Sequence, residues 1–264
     1  MASPAVGLIL RESYNSRHAA FAKRVVDAAG AIPVAGYLAH RDDVAVSIDP
    51  WSGRVWTPDA TMAGQLAPLG RGATRVFNGT SRYLTTPDTT DLSFGNGTVD
   101  SPMSIVALVN MTDTAATRTI VSKWNGTGTV REWQLHISTA DILVFNVFDE
   151  SSASSAQRVS NAVIAQGAPH LFAATYDATG GATAMNGAVL YQDGAAIAST
   201  ANNNATYVAM ENLTAACEVG SLNAHTANFA DGSLSMVAMF TGVLTAARVA
   251  AITDLCRRFY GVPA

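Results

Sequence analysis

The hydrophobic pattern of the chain changes period near residue 72. Ahead of it, in SYNSRHAAFAKRVVDAAGA, the residues Ala20, Val25 and Ala28, flanked by Phe21 and Val26, recur at helical spacing, and Gly30 offers a stop. One amphipathic helix is predicted there, after a short apolar run, VGLIL, at 6–10. Pro33 and Gly36 follow, then a strand-like VAVSI at 44–48, then a loop in which Trp51 and Trp56 flank a Ser52-Gly53 turn. Both tryptophans are read as packing their loop onto its own domain rather than as a contact patch.

Beyond residue 72 the period is two. Strands are predicted at 75–78, 82–86, 104–111, 118–123, 131–138, 142–149, 158–164, 171–177, 189–192, 206–210, 216–222 and 233–240, with Gly- and Asn-bearing turns between them. In WQLHIS, Trp133, Leu135 and Ile137 share one face and His136 the other. In ILVFNVF the set Ile142, Val144, Asn146, Phe148 opposes Leu143, Phe145, Val147, so this strand is expected between two layers. Short strands with double-sided burial predict an all-β, two-sheet antiparallel sandwich. A closing helix is predicted from an N-cap at Thr245, with Val249, Ile252, Leu255, Cys256 and Phe259 at helical spacing before Gly261 and Pro263. Residues 1–72 are expected to form an anchoring arm or small subdomain, and 73–264 the sandwich with its helix.

Composition narrows the function classes. Charged residues are 14% of the 264 and the net charge is −4, with Lys and Arg scattered, which gives nucleic acid no electrostatic footing. The densest pair, Arg257-Arg258, falls in the last turn of the closing helix, where a dipole complement is the ordinary role. No stretch is long and apolar enough for a membrane helix, and no secretory signal is read at the start. The Asn-x-Ser/Thr triplets at Asn78, Asn96, Asn110, Asn125, Asn204 and Asn212 therefore read as turn chemistry. Cys217 and Cys256 read as two buried thiols rather than a disulfide.

From about Arg75 to Leu255 the chain resembles the laminin-G-like, concanavalin A-like jelly-roll family, of the kind found in bacteriophage virion proteins. The phrases that carry the resemblance are VFNGTSRYLTTPDTTDLSFGNG, MSIVALVN, TIVSKWNGTG with REWQLHIS, DILVFNVFD, PHLFAATYDATGGA, LYQDGAAIAS, CEVGS and DGSLSMVAMFTGVLTAARVAAITDL. It implies a jelly roll with one concave sheet and loops rimming the groove. Two features depart from the family: the TGGATAMNGAV insertion, and the residues before about 72.

Glycan-hydrolysing members carry Glu-x-Asp-x-x-Glu on one strand, which places alternate carboxylates on one face. No such arrangement occurs here; Asp149-Glu150 is an adjacent pair, read as a solvated loop. The histidines His18, His40, His136, His170 and His225 lack metal-site spacing and read as lone surface or edge residues. Many relatives hold Ca²⁺ at the rim, so Asp88, Asp91, Asp149 and Asp231, in predicted loops, are its candidates, with no family site mapped onto them. Trp124 beside Asn125 in a hairpin loop, with Asp149, is the candidate glycan contact. The favoured expectation is a non-enzymatic virion structural protein, a phage capsid decoration or appendage. It would be made in the host cytoplasm, oligomeric, and bound to capsid or other virion proteins through its N-terminal arm. The alternative is a lectin-like glycan-binding module, here of a host-surface glycan; a glycan-active enzyme ranks below both.

Overall fold

A computed structural model of the chain describes residues 16–40, 47–62, 65–112 and 115–262. Two antiparallel sheets, of eight and nine strands, face each other as a sandwich. Helices Ser16–Ala29 and Ala246–Tyr260 complete the described fold. The run 6–10, residues 44–46 of the expected strand at 44–48, and Pro263 lie outside the described residues; Ser47–Ile48 is a strand. No helix among the described residues is long and apolar enough to cross a membrane.

Strand Asp231–Thr241 organises the eight-stranded sheet. Along one edge it pairs with Met103–Met111. Its other edge is divided, residues 231–234 pairing with Gly72–Asn78 and 236–239 with Ala35–Leu38. His170–Tyr176, Ala188–Gln192 and Ala195–Ala196 continue the sheet beyond Met103–Met111, and Leu66–Leu69 lies beyond Gly72–Asn78. The nine-stranded sheet runs Ser199–Asn202, Ser154–Ser160, Leu143–Asp149, Val130–Ile137, Arg118–Asn125, Cys217–Val219, Leu84–Thr86, Val55–Pro58, Ser47–Ile48.

The segment expected to be an arm is thus woven into both sheets. Its side chains explain why. Tyr37 and Trp56 are fully buried in the inter-sheet core, and Trp56 Nε1 donates to the Gly36 carbonyl at 2.6 Å. The buried Arg75 donates from Nε to the Tyr37 hydroxyl at 2.9 Å and from Nη1 to the Met62 carbonyl at 3.2 Å. Trp51 packs as expected, its indole N–H donating to the Ala22 carbonyl of the first helix at 3.0 Å. The buried Asp49 carboxylate holds that loop by accepting from the backbone of Gly36, Trp51 and Ser52. Burial pushes the Asp49 carboxyl above the usual carboxylate range, against the pull of these donors.

Two cores result. Ile105, Ala107, Val109, Phe172, Ala174, Val237 and Met239 meet Trp133, Leu135, Ile137, Leu143, Phe145 and Val147 between the sheets. On the outer side of the eight-stranded sheet, Val106, Leu108, Leu171, Ala173, Met236 and Phe240 meet both helices. Met103–Met111 is therefore buried between two layers, as are His170–Tyr176 and Asp231–Thr241. Leu143–Asp149, for which that position was expected, turns Val144, Asn146 and Phe148 to the side of its sheet away from the core. The first helix buries Phe21, Ala22, Val25 and Ala29, a stripe rotated from the expected one, because Phe21 stacks on Phe259 with centroids 4.3 Å apart.

Local chemistry follows the sequence closely elsewhere. Thr245 caps the closing helix by accepting from Arg248 N, and Gly261 ends it in the left-handed conformation at φ 69°. Asn78 Oδ1 accepts from the amides of Thr80, Ser81 and Arg82, and Asn96 and Asn204 close similar turns. Asn110, by contrast, lies within a strand. Cys217 and Cys256 are free and buried in different cores, as the reading of two separate thiols required. Residues 206–210 are not a strand. Their amides are taken by carboxylates, Val208 N by Asp149 Oδ2 at 2.9 Å and Met210 N by Asp100 Oδ1 at 2.8 Å.

Candidate functional site

The nine-stranded sheet turns every second residue away from the core, and directly opposed residues in antiparallel strands point the same way. Register then fixes a line across the sheet: Thr57 opposite Thr85, Thr85 opposite Glu218, Glu218 opposite Ser122, Ser122 opposite Gln134, Gln134 opposite Asn146, Asn146 opposite Gln157, and Gln157 opposite Asn202. Every member is a hydroxyl, an amide or a carboxylate.

Rows on either side carry different chemistry. On one side Thr119 lies opposite His136, His136 opposite Val144, and Val144 opposite Val159. On the other, Phe148 meets Trp124 edge to face, centroids 5.2 Å apart, and the Arg131 guanidinium lies 3.8 Å from the Phe148 ring centre. Glu150 pins Arg131 through bonds of 2.8 Å from Nε and 2.6 Å from Nη2. That bidentate pair holds the Glu150 carboxyl below its ordinary range.

The row grades from covered to open. Near one end, a loop of residues 220–228 folds over Glu218, whose Oε2 accepts from Ser221 Oγ at 2.5 Å and from the His225 amide at 3.2 Å. The His225 ring stacks on Tyr83 at 3.8 Å. Ser122 Oγ donates to the Ser221 carbonyl. Toward the other end Gln157 is half-buried and Asn202 exposed. In the middle, Thr119 Oγ1, Gln134 Oε1, His136 Nδ1 and Asn146 Oδ1 are buried and have no hydrogen-bond partner among the described residues. Buried polar atoms in folded proteins nearly always have partners, a water or a ligand group included, and four of the exceptions fall together on this face. Burial pulls the His136 imidazole down to about 4, leaving it neutral at physiological pH.

The site residues expected from the sequence are only partly gathered here. Trp124 belongs to the face. Asn125 closes its own hairpin, accepting from Gly128 N at 3.1 Å. Asp149 is fully buried rather than solvated, accepting from Ser151 Oγ, Ser152 N and Val208 N. The calcium candidates are dispersed among cations: Asp88 beside Lys123 Nζ at 2.9 Å, Asp91 beside Arg54, and Asp231 at 3.9 Å from Arg118. Asp231 begins a strand instead of lying in a loop. Among the described residues, no group of three or more His, Cys, Asp or Glu could hold a metal ion. The histidines are not uniformly peripheral: His18, His40 and His136 are buried, with His18 and His40 in edge contact at 4.4 Å.

Gln134, His136 and Asn146 are absent from the expected site although the sequence carried their signal. Asn146 is a polar residue in the middle of an otherwise apolar strand, Gln134 and His136 alternate with the apolar Trp133, Leu135 and Ile137, and strand alternation places all three on the side away from the core. What the sequence did not hold was the cross-strand register that lines them up.

The family profile described as the concanavalin A-like lectin/glucanases superfamily (Laminin_G_3) matches residues 78–250. No curated protein matches the chain. Among solved structures, domain 4 of AbnA, a GH43 extracellular arabinanase from Geobacillus stearothermophilus solved with arabinotriose, superimposes with TM-score 0.56 at 16% identity, over 84% of this chain and 98% of that one. The binding domain of Paraclostridial Mosquitocidal Protein 1 gives TM-score 0.63 at 12% identity over 88% of this chain, which spans 55% of that one. The ligand binding domain of Botulinum neurotoxin serotype D, solved with N-acetylneuraminic acid, gives 0.60 at 9% identity over 90% of this chain and 56% of that one. At these identities the likeness is one of fold.

Proposed function

From the premise that this chain belongs to the concanavalin A-like lectin/glucanases superfamily, we propose that it is a non-enzymatic glycan-binding domain that takes a saccharide across the outer face of its nine-stranded sheet. The observation that carries this reading is the unbroken polar row with partnerless acceptors at Gln134, His136 and Asn146 beside it and within it. Sugar hydroxyls are donors and acceptors at once, and a ladder of amides and hydroxyls matches them group for group. Trp124 and Phe148 supply the aromatic edge on which the apolar face of a pyranose or furanose rests. Structures of similar fold solved with arabinotriose and N-acetylneuraminic acid support the class of ligand.

Binding rather than hydrolysis is favoured by the carboxylates. Glycoside cleavage needs an acid and a second carboxylate flanking one bond. On this face Glu218 is engaged by Ser221 and His225, and Glu150 by Arg131. The virion-appendage reading drew in part on an appended N-terminal arm; with Ala35–Leu38 and Leu66–Leu69 hydrogen-bonded into one sheet and Val55–Pro58 into the other, glycan binding stands ahead of it. Such a domain could still be displayed on a virion.

A glycan array with the intact chain, followed by titration calorimetry on the best hit, tests the proposal. Binding to at least one glycan, reduced about tenfold or more by Gln134→Ala, is expected, since one charge-neutral hydrogen-bonding side chain in a dry site contributes roughly 1–2 kcal/mol. An array without hits, or a hit indifferent to Gln134→Ala and Trp124→Ala, overturns it.

A further inference from the structure

The arginines that look scattered in the sequence converge in space. A cavity of about 700 Å³ opens between the two helices, lined by Arg17, Arg24, Arg71 and Arg258 over a floor of Phe21, Leu255 and Phe259. Three separate elements deliver these side chains. Arg17, Phe21 and Arg24 lie at i, i+4 and i+7 along the first helix, a single stripe. Arg258 comes from the last turn of the closing helix. Arg71 comes from the turn before Gly72–Asn78, held in place by its amide donating to the Phe259 carbonyl at 2.8 Å.

Among the described residues, no acidic side chain lines this cavity. Arg24, Arg71 and Arg258 have no acidic partner among the described residues. The acids nearest along the helices, Asp27 and Asp254, face an adjoining groove that Arg24 and Arg258 also line, and each lies beside another cation, Lys23 at 2.8 Å and Arg257 at 3.5 Å. In a chain of net charge −4, Arg24, Arg71 and Arg258 gathered on one cavity raise the local potential and favour an anion there.

We propose that this cavity is a second binding site, for a soluble ligand bearing at least one phosphate or sulfate ester. The geometry selects among oxyanions. A carboxylate offers two oxygens in one plane, which a guanidinium fork meets end on. Forks arriving from three elements call for a group with three or more terminal oxygens. The aromatic and leucine floor takes the organic body that carries the ester, and the volume suits a mono- or disaccharide-sized body. The site is on the opposite side of the sandwich from the polar sheet face and is independent of it.

Titration calorimetry of the intact chain at low ionic strength, with inorganic pyrophosphate and with a sulfated disaccharide against its unsulfated parent, tests the assignment. Both anions bind and the parent does not; Arg24→Ala and Arg258→Ala each weaken binding by about tenfold or more, as loss of a charge-assisted bond requires. Lys23→Ala, one position from Arg24 and outside the cavity, leaves affinity within about twofold, and thermal unfolding shows all variants folded. Absence of anion binding, equal binding of the parent sugar, or equal loss in Lys23→Ala overturns the proposal. Vesicles containing a phosphatidylinositol phosphate separate the sources of the ester: binding to them without binding of the free anions overturns a soluble-ligand site in favour of a membrane surface. Duplex DNA that outcompetes pyrophosphate overturns it in favour of nucleic acid.

Discussion

Replacing Asn146 by leucine separates a residue kept for binding from one kept for the fold, because the two roles predict opposite signs. Asn146 is 3% exposed, its Oδ1 has no partner, and its same-face strand neighbours Val144 and Phe148 are apolar. Leaving a buried acceptor unsatisfied costs roughly 1–3 kcal/mol. Leucine has nearly the shape of asparagine and no polar atom, so Asn146→Leu removes that cost and adds apolar contact with Val144 and Phe148. For a domain of this size each kcal/mol moves the unfolding midpoint by about 2–4 °C. The variant should therefore unfold roughly 2–12 °C above the parent, on the same scale. Differential scanning calorimetry gives the midpoint, and titration with the glycan selected on the array gives affinity. Higher stability together with lost binding is the expected pair. A midpoint that falls would mean that Asn146 is already satisfied in the fold and that the face is not poised for a ligand, which refutes the reasoning.

Other consequences can be checked directly. His136 has its imidazole pulled from 6.5 to about 4 by burial, so the unfolded chain binds the extra proton first, and about 3 kcal/mol of stability is lost as pH falls from 6.5 to 4; chemical denaturation across that range should show the loss, and His136→Leu should flatten it. Lys123 is fully buried against Glu132 and Asp88, and Lys123→Met should destabilise by about 3–5 kcal/mol by stranding the Glu132 carboxylate. Burial raises Glu132 to about 7, so an acid bound more tightly to its proton in the folded state loses stability as pH rises; the Lys123→Met deficit should shrink on going from pH 8 to pH 5. At Gly36 a Cβ would meet the Trp51 ring at 2.4 Å and the Val237 carbonyl at 2.7 Å, so Gly36→Ala should cost about 1–3 kcal/mol, or more, in urea denaturation. Cys217 and Cys256 are pushed up by burial and should resist iodoacetamide until the chain unfolds.

The sandwich was legible because alternation is a local property. WQLHIS and ILVFNVF declare their faces without reference to any partner strand, and the Thr245 cap and Gly261 stop are read from neighbours in sequence. What failed was whatever depended on distant partners. Ala35–Leu38 and Leu66–Leu69 are short and apolar, and nothing within them tells that one completes an edge of Asp231–Thr241 and the other of Gly72–Asn78. Residues 206–210 alternate like a strand, but Asp100 and Asp149 claim their amides first. The candidate site shows the same division. Asn146 was visibly out of place in its strand, while its alignment with Ser122, Gln134 and Gln157, and that of His136 with Thr119, exists only in the register. Arg24, Arg71 and Arg258 stand far apart in the chain, and only the packing of the first helix on the last brings them to one cavity.

The divided edge of Asp231–Thr241 bears on how the chain folds during synthesis. That strand separates Met103–Met111 from Gly72–Asn78 and Ala35–Leu38, so the eight-stranded sheet has a gap in its middle until residue 241 has been made. Pairings that span about two hundred residues close late, after the loop entropy of nearly the whole chain has been overcome. Until then the apolar edges of Met103–Met111 and its neighbours stand open to other nascent chains. A chain ending before residue 231 should therefore leave the ribosome as an aggregation-prone half-sandwich, and the last thirty-odd residues act as the closing stave of the sheet as much as its final helix.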